Sequence, residues 1–228
     1  MMRDLFVAIE GIDGAGKSTA VEYLGRELER LGLDVLAVQK QRPPARSPYV
    51  ADHLRRLREA IWTRSADRPV HLLGELHWIH LHTAYLAALA AHLIDQDDTG
   101  APRVVLVDGW TGKLAARVAT NGIRGIPEIL RFFDDLRAPD AVVLLDVPPA
   151  LAAARRKGRH TRTEVRSLTA TEDSTFESYQ ESVRAHLLQL AAAGNWWVHS
   201  DQGRSPRQLA ADLAGLLEPA LNTMRVIA

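Results

Sequence analysis

Three observations predict an α/β fold, a parallel five-stranded sheet with helices on both faces. Val104 to Asp108 and Ala141 to Asp146 are continuous apolar runs that each end in an acid, the pattern of strands buried on both sides. Segments of helical period alternate with the strand-like runs, which makes successive strands parallel and lays helices over the sheet. The first strand, Leu5 to Glu10, reaches the first helix through Gly11-Ile12-Asp13-Gly14-Ala15-Gly16, a corner too rich in glycine for a regular element.

Each element has a local cause. Ala20, Leu24, Leu28 and Leu31 recur at helical spacing in the helix from Lys17 to Leu31, and Gly32 stops it. Asp34 to Gln39 reads as a short second strand. The stretch from Lys40 to Pro48 holds Pro43, Pro44 and Pro48 and forms a loop at that strand's carboxyl end, the edge where open α/β sheets bind ligands. Tyr49 to Thr63 is a basic helix, and Pro69 opens a long one that reaches about Asp95. Thr111 to Thr120 and Pro127 to Leu136 read as helices separated by Gly122 and Gly125. Pro148-Pro149 starts another helix, Arg155 to Arg166 is dense in cations, and Thr175 to Ala193 is helical again. Trp196 to Val198 is the last strand and Ser205 to Leu217 the closing helix. No shift of composition marks a second domain, so residues 1–228 are expected to form one.

Bulk charge narrows the function. Lys plus Arg and Asp plus Glu are both 28, so the chain lacks the overall basic field that would mark a nucleic-acid polymer as partner. No cysteine is present, which excludes disulfides and thiolate metal sites. Met1-Met2-Arg3-Asp4 leads into the first strand without a signal-peptide core, and the apolar helical stretch Ala84 to Ile94 is too short to cross a bilayer. The expectation is a cytoplasmic protein with no membrane partner.

Gly11, four intervening residues, then Gly16-Lys17-Ser18 satisfy the pattern of a phosphate-binding loop, with a strand before and a helix after. Backbone N–H groups surround a triphosphate only where side chains are missing, which is the work of Gly11, Gly14 and Gly16. Lys17 is expected to neutralise the β- and γ-phosphates and Ser18 to place its hydroxyl on Mg²⁺, with Ala15 and Thr19 completing the nucleotide contacts. Neither a guanine-reading Asn-Lys-x-Asp motif nor helicase-like segments accompany the loop.

On these residues the chain resembles the thymidylate kinases, within the P-loop nucleoside monophosphate kinases, over nearly its whole length. Phe6 to Thr19 is close to the family's phosphate loop, including Asp13. Leu145 to Pro149 with Ala152 and Arg155 to Arg162 looks like the strand entering the family's arginine-rich lid, expected over about residues 155–172. Phe176-Glu177-Ser178-Tyr179 with Leu187 to Leu190 is similar to the helix after the lid, and Ser205 to Leu209 to the opening of the last helix. The resemblance implies a three-layer P-loop kinase fold and transfer of the γ-phosphate of ATP, with Mg²⁺, to a nucleoside monophosphate: dTMP or a related or modified nucleotide. It implies a homodimer through the long helices. With Gly14 where one subgroup carries an arginine, the catalytic arginine is expected from the lid, and Arg155, Arg159 and Arg162 are the candidates. Asp108 is expected to help hold the Mg²⁺ shell, with Asp146 as its rival, and Asp13 to reach the acceptor's sugar hydroxyl or reacting phosphate. Glu10 either orients a metal-bound water or braces the loop.

The acceptor side departs from the family. Asp108-Gly109-Trp110 stands where the family has Asp-Arg-Tyr or similar, His77-Trp78 where it has Asp-Arg, and Gln41-Arg42-Pro43-Pro44 where it has Arg-Glu-Pro-Gly. Those family arginines hold the acceptor's phosphate. Either Arg42 and Lys40 replace them, or the acceptor is an unphosphorylated nucleoside or other small hydroxyl compound; a relative that binds ATP without turnover is a further reading. Glu75, Trp78, His82 and Tyr85 at roughly helical spacing offer either an aromatic wall for a base or a helix-packing face, and Trp110 joins the substrate-binding candidates. His71, His77, His80 and His82 lack the spacing and second motif of a zinc site.

Overall fold

The computed structural model describes residues 4–45, 47–62, 73–94, 102–122, 124–156, 176–200 and 203–227. Five strands, β1 (Leu5–Glu10), β2 (Val35–Val38), β3 (Val104–Val107), β4 (Ala141–Asp146) and β5 (Trp197–Ser200), form one parallel sheet in the order β2-β3-β1-β4-β5. Ala8 pairs with Val107 and Glu10 with Leu144, so the carboxyl ends of β1, β3 and β4 emerge side by side. Acids close this edge at Glu10, Asp108 and Asp146, where the strand order reverses, the place at which open α/β sheets bind ligands.

Among the described residues eight α-helices cover the sheet: α1 (Lys17–Arg30), α2 (Pro48–Trp62), α3 (Gly74–Leu89), α4 (Gly112–Thr120), α5 (Ile126–Leu130), α6 (Pro149–Arg156), α7 (Phe176–Ala193) and α8 (Pro206–Ile227). Successive β1 side chains leave on opposite faces. Val7 and Ile9 join a core with Leu24 and Leu28 of α1 and Leu213 and Leu217 of α8. Phe6 and Ala8 join a second core with Leu54 and Ile61 of α2 and Leu86 and Leu89 of α3. Burial on both sides is why the run is apolar throughout instead of alternating.

Three boundaries differ from expectation. The helix expected from Pro127 to Leu136 is only α5, followed by a 3₁₀ turn over Arg131–Phe133 that buries Phe133 and returns the chain to β4. The last helix runs past Leu217 to Ile227 with Pro219 inside it. The long helix is described from Gly74 and finishes in a π-helical turn, Ala90–Ile94; Pro69 and Asp95 lie outside the described residues. Arg103 donates to the Leu93 carbonyl at 2.7 Å and to Asp4 at 2.6 Å, a cation suited to a helix carboxyl end. No helix among the described residues is long and apolar enough to cross a membrane.

Candidate active site

The glycine loop is shaped by what it packs against. Gly16 caps α1 at φ 90°, and Gly14 turns at φ 84°, both in the left-handed region that favours glycine. A Cβ on Gly14 would stand 2.8 Å from the Ala152 carbonyl oxygen and 3.2 Å from Cδ of Arg156. The loop tip therefore leans on α6, and position 14 has no room for an arginine. Arg156, which the sequence reading passed over, is the α6 cation against the loop, whereas Arg155 is exposed in the same turn. Arg159 and Arg162 lie outside the described residues, as does the rest of the expected lid.

Lys17 folds over the loop and donates to the carbonyls of Gly11 at 2.9 Å and Ile12 at 2.7 Å. Burial lowers its ammonium to about 7; Lys113 adds to the effect, and Asp13, Glu10 and Asp108 oppose it. Ala15 is buried and Thr19 exposed at the start of α1. Ser18 donates its hydroxyl hydrogen to Oδ2 of Asp108 at 2.6 Å, and the other carboxylate oxygen accepts from the Lys40 backbone N–H at 2.6 Å. A hydroxyl and a carboxylate meeting at the mouth of the loop are oxygen donors of the type Mg²⁺ takes, so the pair fits that ion. Asp146 is placed otherwise: Arg184 of α7 holds both its oxygens, through Nε at 2.5 Å and Nη2 at 3.0 Å. Among the described residues no three His, Asp or Glu side chains converge as a metal site.

Glu10 is buried and braces the edge. Its carboxylate accepts from the backbone N–H groups of Trp110 (2.7 Å), Gly112 (3.0 Å) and Lys113 (3.2 Å), an anion on the amino end of α4. Of the two roles read for it, this geometry is the bracing one.

Asp13 is also enclosed. Lys113 of α4 donates its ammonium to Oδ1, Gln180 of α7 donates to Oδ2 at 3.3 Å, and the Asp13 N–H donates to Oε1 of Gln180 at 3.1 Å. Burial pushes its carboxyl up, but Lys113, Arg117 and Lys17 together overcome this and hold it well below the usual carboxylate range. The sequence reading missed Lys113 and Gln180. One signal was present: Lys113 is a cation in the first turn of a helix, where the macrodipole repels it. Gln180 left none, because only the fold brings α7 under the loop.

Lys40 and Arg42 part company. The Lys40 backbone is fixed on both sides, its N–H on Asp108 and its carbonyl accepting from the Tyr85 hydroxyl. Its ammonium stands 3.2 Å from where a Cβ of Gly109 would be and 3.5 Å from the Trp110 carbonyl oxygen. Burial pulls that ammonium below its ordinary range against the opposing charges of Glu10 and Asp108. Arg42 is exposed on the loop beyond.

The aromatic candidates need correction. Trp110 is core: it is buried, meets Phe6 edge-on at 5.0 Å and donates its indole N–H to the Arg137 carbonyl at 3.0 Å. Tyr85 is fully buried, edge-on to Trp62 of α2 at 5.1 Å, so it supports Lys40 instead of facing a ligand. His82 is half-buried, bonded to the Trp78 carbonyl at 2.8 Å and edge-on to Trp62 at 5.9 Å. Trp78 is half-buried against His77, and burial raises the Glu75 carboxyl. The α2–α3 seam has taken His82 and Tyr85 of the expected wall.

No protein-family model matches the chain. Curated relatives do. The thymidylate kinase of Ectopseudomonas mendocina is 31% identical over 234 residues, covering 98% of this chain and 100% of the relative. That of Ruegeria pomeroyi is 28% identical over 97% of this chain and 98% of its own. The probable thymidylate kinase of Pyrobaculum aerophilum is 29% identical over 93% and 96%. With end-to-end similarity, the five-stranded parallel sheet and the glycine loop in agreement, the chain belongs to the thymidylate kinase family and is a nucleotide kinase.

Proposed function

We propose that the protein transfers the γ-phosphate of MgATP to a nucleoside monophosphate, dTMP or a close relative, in the cytoplasm. The observation that carries this reading is the Ser18–Asp108 bond beside Lys17, at the sheet edge that also gathers Asp13, Lys40 and Lys113. Lys17 rests on the Gly11 and Ile12 carbonyls, which occupy its donors as phosphate oxygens would; a triphosphate offers the stronger, charged acceptor. Ser18 and Asp108 would hold Mg²⁺, which supplies neutralisation of the phosphate charge. An acceptor phosphate is already an anionic nucleophile, so the transfer needs alignment more than a base. Asp13 suits that need: strongly ionised and held by Lys113 and Gln180, it orients without shuttling a proton. The α3 helix, with Leu76 exposed on it and Leu73 exposed just before it, is the surface we assign to pairing of two copies.

A second reading has its own support: Gly109, and the uncharged pair His77-Trp78, leave empty the positions from which the family holds an acceptor phosphate. An acceptor screen separates the two. Purified protein with MgATP and a panel of nucleosides and nucleoside monophosphates is read by mass spectrometry. Conversion of dTMP to a diphosphate is expected. A monophosphate formed from thymidine alone would replace the first reading with the second, and retained ATP binding without any product would overturn both.

A further inference from the structure

Two lysines converge where the family arginines are missing. Lys40 has its backbone pinned by Asp108 and Tyr85, which aims its side chain across the end of β3. The ammonium occupies the space into which a side chain at position 109 would start, and Gly109, at φ 99°, is strained for any other residue. Glycine at 109 and lysine at 40 are therefore one arrangement: the cation absent from the end of β3 returns from the end of β2.

Lys113 completes it from the other side. Cations in a first helical turn are disfavoured, yet this one is kept there by Asp13, while Glu10 takes the N–H groups of the same turn. The carboxylates around the two ammoniums have other tasks: Glu10 is bonded to backbone, Asp108 to Ser18 and the Lys40 N–H, and Asp13 also to Gln180. Lys113 also acts electrostatically on Lys40, so the two feel each other as like charges that an anion between them would relieve.

We propose that Lys40 and Lys113 form a two-lysine clamp for the phosphate of the acceptor nucleotide, in place of the arginine forks; this rests on the monophosphate reading above. A clamp of ammonium point charges reads the charge of the phosphate more than its planar geometry.

The test uses the full chain with Lys40→Met, Lys113→Met and the double variant. KM is measured for dTMP and for ATP, together with competitive inhibition by thymidine, which carries no phosphate. Each single variant is expected to raise the dTMP KM about 10- to 100-fold, the range for one charge-assisted hydrogen bond. The dTMP KM should rise at least about tenfold more than the ATP KM or the thymidine inhibition constant. Lys113→Arg, which keeps the charge and the Asp13 pair, should recover most of the loss. An unchanged dTMP KM in the double variant would overturn the clamp alone, as would an equal loss for thymidine. Turnover of thymidine but not dTMP by the unaltered protein would overturn clamp and monophosphate reading together. Should Lys113→Met not fold, Lys40→Met decides by itself: an unchanged dTMP KM overturns the clamp.

Discussion

The glycine loop at the sheet edge is made of backbone, and the face opposite it is assembled from separate elements. Gly11 to Ser18 is one contiguous segment whose N–H groups, lysine and hydroxyl are positioned by the turn itself. Opposite it, Lys40, Gly109, Lys113, Gln180 and Tyr85 come from separate elements and meet only through the fold. A contiguous backbone device tolerates almost no substitution, whereas one assembled from distant side chains can exchange an arginine on one strand for a lysine on the next. On the two-lysine proposal, the missing family arginines mark a rearrangement and do not by themselves report a lost activity.

The largest expected effect breaks the glycine loop. Lys17→Ala should lower kcat by about 10²- to 10³-fold, the range for removing one charge-stabilising donor, while leaving dTMP binding measurable by calorimetry. Normal turnover would remove the loop from the chemistry. Asp108→Asn comes next: the Mg²⁺ concentration for half-maximal rate should rise about 10- to 100-fold. Arg184→Ala, which frees Asp146, should leave that concentration unchanged; the opposite pattern would move the metal role to Asp146.

Gly14→Arg asks whether the backbone device can accept a side chain. Left-handed strain of about 1–3 kcal/mol should lower the melting temperature by about 2–12 °C in calorimetry, before counting the contact with the Ala152 carbonyl. A variant as stable as the parent would show that α6 can withdraw. Gln180→Leu tests the opposite face more gently, leaving the buried Asp13 N–H unpaired at a cost of about 1–3 kcal/mol and raising the dTMP KM more than the ATP KM. Equal changes in both would make Gln180 a general support of the loop.

The smallest effect concerns protons. Lys17 has its folded value lowered to about 7 from an ordinary 10.5, so between these pH values the unfolded chain binds more protons, and the contribution of Lys17 to stability rises with pH across that window. A bound triphosphate favours the charged amine. Calorimetry in buffers of different ionisation enthalpy should then show uptake of nearly one proton on ATP binding at pH 8, and much less at pH 6. Equal uptake at the two pH values would assign the proton to another group.

The fold was legible because both-face burial leaves apolar runs that name their strands, and the glycine loop because its spacing is itself the geometry. Legibility stopped where a residue's role depends on a distant partner. Trp110 read as a binding aromatic and Tyr85 as either a base-stacking or a helix-packing residue, since sequence spacing cannot separate a residue facing a cleft from one facing α2 or β1. Asp146 and Asp108 end similar runs, and only the position of Arg184 on α7 tells them apart. The closing helix, read as Ser205 to Leu217, runs on to Ile227 with Pro219 inside it.

Glu10 gives the two sides a common origin. One carboxylate, adjoining the first glycine of the loop, grips the opening turn of the helix that carries Lys113, and the Asp13–Lys113 pair ties the same helix to the loop a second time. Side chains around α4 can then differ in their chemistry while the helix stays in register with the loop, like a jaw re-cut on an unmoved hinge.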